Sequence, residues 1–168
     1  MKTWLARGLP VAGLLALTAL LAVHPDPPRI PEQAPAFVLP DLQGRPVALE
    51  SFRGHPLLVN FWGIWCLPCR AELPELERLA AECSGCLAVV GVTLGSGSAS
   101  DIGAFAAAHA IRYPLLIGDA RIMADYHVET IPFSILIDAR GREVASWDVA
   151  ISLKTVGSAV DALGDPRC

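Results

Sequence analysis

Apolar residues along the chain group into short solid runs and longer periodic stretches, and the two kinds predict different elements. Leu57–Trp62 and residues 87–93 are continuous runs rich in β formers, each predicting a strand buried on both faces. Between them Leu73, Leu76, Leu79 and Ala80 recur at helical spacing, opposite Arg70, Glu75, Glu77 and Arg78. This predicts a helix over Leu67–Glu82, with Pro74 inside it. Upstream, residues 36–39 and Pro46–Ala48 read as short strands around the turn signal Asp41-Leu42-Gln43-Gly44. Downstream, Ser100 or Asp101 is placed to cap a helix through His109, residues 113–117 are extended, and 122–126 form a helical turn. Phe133–Ile137 and residues 142–147 make a hairpin, and Ser152 caps a last helix to Leu163. Strands that alternate with helices pair in parallel, while a hairpin is antiparallel. The fold class is therefore α/β: a three-layer sandwich with a mixed central β-sheet flanked by helices.

The first residues follow another rule. Lys2 and Arg7 precede an apolar run from Gly8 to Val23 that no charge interrupts. Two readings compete, a cleaved signal peptide and an uncleaved signal anchor. The absence of a small-residue cleavage site before His24 favours the anchor. Either way the basic flank stays in the cytoplasm and the rest of the chain is exported. In a bacterium this gives a single-pass protein of the inner membrane, facing the periplasm. Residues 24–35, with Pro25, Pro27, Pro28, Pro31 and Pro35, read as an extended linker, and 36–168 as one domain. A net charge of −4 without a Lys/Arg cluster gives no basis for a nucleic-acid partner.

The chemistry concentrates in the cysteines, of which there are five. Cys66 and Cys69 stand where a buried strand gives way to a helix. The helix N-terminus favours a thiolate at Cys66, which makes it the candidate nucleophile, and Cys69, one turn further in, the resolving thiol. Pro68 falls in the first turn, where a missing N–H costs little. The spacing of Cys66, Cys69, Cys83 and Cys86 approaches that of a four-cysteine zinc site. The intervening helix, rising about 1.5 Å per residue, holds the two pairs more than about 20 Å apart and argues against a shared metal. Cys83 and Cys86 suit a local structural disulfide in an oxidising compartment, with a second redox pair or a metal site as alternatives. Cys168 is unassigned. Trp65, with Leu67, Pro68 and Trp62, suits an apolar platform for substrate, although core packing explains Trp62 as well.

Around this motif, and over about residues 36–163, the sequence resembles the thioredoxin superfamily, in particular the TlpA/ResA/DsbE-like branch of membrane-anchored thiol–disulfide oxidoreductases. The resemblance rests on Ala34-Pro35-Ala36-Phe37, Asp41-Leu42 with Gly44, and the run Val59-Asn60-Phe61-Trp62-Gly63-Ile64-Trp65-Cys66-Leu67-Pro68-Cys69-Arg70-Ala71-Glu72. Later come Tyr126-His127-Val128 with Thr130-Ile131-Pro132, then Ile135-Leu136-Ile137-Asp138 with Gly141. It implies a thioredoxin-like fold, a redox-active Cys66–Cys69 pair with no organic cofactor or metal, and Pro132 as a cis-proline opposite that pair. Ile131, just before it, would meet substrate backbone. Glu72 matches an acidic residue of the branch and would move protons or raise thiol pKa values; its alternative is a solvated helix carboxylate. The implied activity is reduction of disulfides in exported proteins, with a membrane electron donor of the thiol:disulfide transporter type.

Three departures qualify this. Asn60 stands where the superfamily archetype carries a buried Asp, which shifts proton handling toward Glu72 or water. Phe133 stands where the cytochrome c maturation reductases of the branch usually carry an acidic residue, which bears on substrate. Gly63 occupies the position where peroxidatic proteins of this fold usually have Thr, which weighs against a thiol peroxidase. The remaining alternatives are a disulfide oxidase and a copper-binding metallochaperone; the latter uses a cysteine spacing one residue longer than this one.

Overall fold

The computed structural model describes residues 32–164, so the leader at 1–23, the start of the linker and Cys168 lie outside the described residues. Its centre is a five-stranded sheet in the order β5-β4-β3-β6-β7. Strands β3 (Leu57–Trp62), β4 (Ala88–Thr93) and β5 (Leu115–Ile117) run parallel; β6 (Phe133–Ile137) is antiparallel to β3, and β7 (Glu143–Trp147) to β6. All six residues of β3 are buried, which is what a continuous apolar run at the middle of a covered sheet requires. The expected three-layer arrangement is the one found: helices α1 (Leu67–Glu82), α2 (Ala99–Ala108), α3 (Ala120–Asp125) and α4 (Leu153–Asp161) flank the mixed sheet. Alternate residues of β3 serve separate cores. Leu58 and Trp62 join the Leu73, Leu76 and Leu79 stripe of α1, while Leu57, Val59 and Phe61 meet Ile122 and Tyr126.

Two local expectations move. The cap of α2 is Ser98, not Ser100 or Asp101. Its Oγ accepts from Asp101 N–H, and the Asp101 carboxylate reaches back to Ser98 N–H, a reciprocal pair that only Ser at this spacing supplies. The linker also ends earlier than residue 35. Gln33 bridges Arg142, Ala34 N–H donates to Gly141 O at 2.9 Å, and Ala34 is buried. A short hairpin, β1 (Val38–Pro40) with β2 (Pro46–Ala48), follows, and Asp41 bridges to Leu116 on β5.

Candidate active site

Strand β3 delivers the chain at Trp62, and after three intervening residues Cys66 caps α1. Gly63 is needed in between. A Cβ there would sit 2.9 Å from Trp65 Nε1 and 3.1 Å from Leu94 O. Without it, Trp65 folds back and donates from Nε1 to Leu94 O at 3.2 Å, leaving 61% of the residue exposed. Ser96 finishes this corner by accepting from Ile64 N–H and donating to Leu94 O.

Cys66 and Cys69 form a disulfide, with Cα atoms 5.3 Å apart. Cys69 N–H, one of the amides that a helix start leaves without an intrahelical partner, donates to Cys66 Sγ at 3.2 Å. Cys66 keeps 4% of its surface and Cys69 none, so an incoming sulfur meets Cys66 first. Facing it is Ile131, whose carbonyl oxygen lies 3.7 Å from Cys66 Sγ and whose bond to Pro132 is cis. Pro132 is buried, while Trp65, Leu67 and Pro68 are exposed and Ile131 is half-buried, so an apolar rim surrounds the one accessible sulfur. Arg70 stands apart from the sulfurs, its guanidinium carbon 5.5 Å from the centre of the Phe105 ring.

One turn beyond Cys69, Glu72 is buried rather than solvated, with 2% of its surface exposed. One carboxylate oxygen, Oε1, accepts from Asn60 Nδ2 at 2.9 Å; the other, Oε2, accepts from Ile151 N–H at 2.8 Å. Asn60 Nδ2 also donates to Ser134 Oγ at 2.9 Å, and Ser134 faces Asn60 across the β3–β6 pairing. Burial pushes the Glu72 pKa up from its ordinary value, while the bonds from Ile151 and Asn60 act in the opposite direction. A polar triad of Asn60, Glu72 and Ser134 thus crosses the sheet in an otherwise apolar layer. Ser134 and the Ile151 amide are the members that sequence reading missed. The single signal for Ser134 is a lone hydroxyl within Phe-Ser-Ile-Leu-Ile; a backbone amide leaves none.

The expected disulfide between Cys83 and Cys86 does not form. Cys83 is a free thiol, and Cys86 takes part in a disulfide that does not include it. Cys83 ends α1, its N–H bonded to Leu79 O and its side chain against the apolar cluster. The turn closes through the backbone, Cys86 N–H to Cys83 O at 2.9 Å, and needs no sulfur link. Burial, then Glu82 and Asp161, raises the Cys83 pKa. Among the described residues no group of three or more His, Cys, Asp or Glu side chains gathers at metal-binding distance.

Comparison with known proteins adds four findings. The model of the AhpC/TSA family matches residues 30–145. Thioredoxin-like protein YneN of Bacillus subtilis is 39% identical over 112 residues, covering 66% of both chains. Thiol-disulfide oxidoreductase ResA of Bacillus thuringiensis is 31% identical over 119 residues, 69% of this chain and 68% of that one. The chain thus spans about two thirds of the length of each relative. A thioredoxin-family thiol:disulfide interchange protein from Chlorobium tepidum shares the fold, with a TM-score of 0.72 at 22% identity, over 81% of this chain and 98% of that one.

Proposed function

Because the chain belongs to the AhpC/TSA family and is a thiol–disulfide oxidoreductase of thioredoxin-like fold, we propose that it works as a disulfide reductase outside the cytoplasm. The observation that carries the roles is the asymmetry of the pair: Cys66 keeps a sliver of access at a helix cap, while Cys69 is fully buried one turn before Glu72; the direction follows from the place of Arg70, over Phe105 rather than beside the thiolate. The Cys66 thiolate attacks one sulfur of a substrate disulfide, forming a mixed disulfide and releasing the first substrate thiol. Cys69 then gives up its proton and attacks Cys66 Sγ. The Cys66–Cys69 disulfide forms, the second substrate thiol leaves, and the substrate has gained two electrons and two protons. Glu72 is the group below Cys69 to take that proton. Pro132 holds Ile131 against the sulfur, and Trp65, Leu67 and Pro68 receive apolar residues beside the target cysteine. The protein needs no cofactor beyond its own disulfide.

Cys66→Ser should abolish insulin reduction, and Cys69→Ala should trap substrates as mixed disulfides on Cys66. Adducts that require Cys69 instead would reverse the roles. Exported protein disulfides are the proposed substrates, and a membrane thiol:disulfide transporter returns the electrons. Phe133, packed against Phe61, stands where cytochrome c maturation reductases usually carry an acidic residue, so this reading favours a broader substrate range. Membrane attachment rests on the leader; among the described residues no helix is long and apolar enough to cross a membrane. If the anchor reading holds, the protein stays with membranes after alkaline carbonate washing. A soluble form beginning near His24 would instead mean cleavage.

A further inference from the structure

The triad below the disulfide contains a mismatch. Asn60 is completely buried, and its Nδ2 donates to both Glu72 Oε1 and Ser134 Oγ. Its other head, Oδ1, is buried without a hydrogen-bond partner among the described residues. Buried amides are normally held by bonds to both heads, and a lone unpartnered acceptor is costly. Here nothing on the Oδ1 side fixes which head faces Glu72.

Glu72 supplies the reason for such freedom. Ile151 N–H is a backbone donor that cannot turn round, and at 2.8 Å it keeps Oε2 an acceptor. A proton arriving on Glu72 therefore belongs on Oε1, the oxygen that faces Asn60. In the orientation observed, that proton would meet the N–H of Nδ2, donor against donor. Rotating the amide by half a turn places Oδ1 there instead. Oδ1 then accepts from the protonated Glu72 and from Ser134 O–H, while the two N–H groups of Nδ2 move to the side where no acceptor lies among the described residues, a cost that confines the reversed state to the protonated carboxyl. We propose that Asn60 is a positioning residue whose amide reverses as Glu72 gains or loses its proton, so that the carboxyl serves the buried cysteine in both charge states without moving. This rests on the reductase reading for its purpose but not for its geometry.

Few other charges compete for Glu72. Strands β3 and β6 present only Asn60 and Ser134, neither of which titrates in the working range. Tyr113, before β5, is the buried phenol that shares its field, and its own pKa is driven up by burial, then by Glu77 and Glu72. On α1, Glu75 accepts from Leu153 N–H and Glu77 pairs with Arg112; on α4, Asp161 acts on Cys83. The pair above it, Cys66 and Cys69, carries no charge while oxidised.

The orientation is measurable in the oxidised full-length protein by nuclear magnetic resonance. Above the Glu72 midpoint, read from its carboxyl carbon, the Asn60 amide protons should show cross-relaxation to the Ser134 β-protons; below it those peaks should vanish. In Glu72→Gln, the Gln oxygen is held by Ile151 N–H and its amide faces Asn60, so the reversed orientation should persist at every pH. Peaks that persist through the Glu72 titration, or a Glu72→Gln variant that keeps them, would overturn the proposal. A second arm reads function: Asn60→Leu should slow disulfide reduction about tenfold and flatten its pH profile as Glu72→Gln does. A Leu variant whose profile keeps the native shape counts against the proposal. If the native protein reduces no disulfide, the reductase reading fails while the resonance arm still decides this one.

Discussion

A carboxyl placed 2% exposed beneath a disulfide leaves a signature in stability as well as in rate. The folded-state pKa of Glu72 is raised, chiefly by burial, above its ordinary value of 4.5. As pH climbs through 4.5, the unfolded chain releases this proton while the folded one still holds it, so this group's contribution to stability falls over that window. Denaturant titrations from pH 4 to 8 should show Glu72→Gln gaining on the native protein as pH rises. A stability difference that stays flat would mean the carboxyl is not held in its acid form. The same residue bears on the redox potential. Once ionised, Glu72 disfavours a second negative charge nearby, and the closest cation in sequence, Arg70, lies over Phe105 rather than at Cys66. The dithiol is therefore expected to be a good reductant, with a potential nearer about −270 mV than the strong-oxidant value of about −120 mV. Equilibration with glutathione buffers, followed by tryptophan fluorescence, would measure it, and a value near the oxidant end would overturn the reductase direction.

At the scale of elements, the sequence was most legible where one physical signal dominated. The apolar runs and the helical stripe predict β3, α1 and β6 to the residue, because a covered strand and a half-buried helix each demand one pattern. The start of α2 was harder to read, since Ser98, Ser100 and Asp101 all cap well in isolation. What selects Ser98 is the carboxylate of Asp101 reaching back, a contact that exists only once the turn has formed. Ser98→Ala should destabilise the protein by about 1 kcal/mol in urea unfolding, and Ser100→Ala by much less. Equal losses would place the cap elsewhere. The cysteine pair was legible from the strand–helix junction, but the Asn60–Glu72–Ser134 triad was not. It joins β3, α1 and β6 across more than seventy residues of chain, and only the sheet register brings Ser134 opposite Asn60. The pairing of Cys83 failed for a similar reason: proximity along the chain says nothing about which way a helix end turns its side chain.

For the molecule as a whole, the stretch from Gln33 to Asp41, which carries β1, is tied into the domain. Gln33 ties to Arg142 beside β7, and Asp41 ties to Leu116 on β5, so this one stretch reaches both outer strands of the sheet. A chain beginning at Glu32 should remain folded and active, whereas one beginning at Leu42 should lose stability and elute as larger species than the first in size-exclusion chromatography. Equal behaviour of the two would show the stretch to be dispensable. Outer strands carry unpaired amides and carbonyls that accept any passing extended peptide. What the stretch from Gln33 to Asp41 supplies is selectivity of adhesion: with a contact already made beside each outer strand, an extended peptide meets the rim around Cys66 rather than two bare sheet edges.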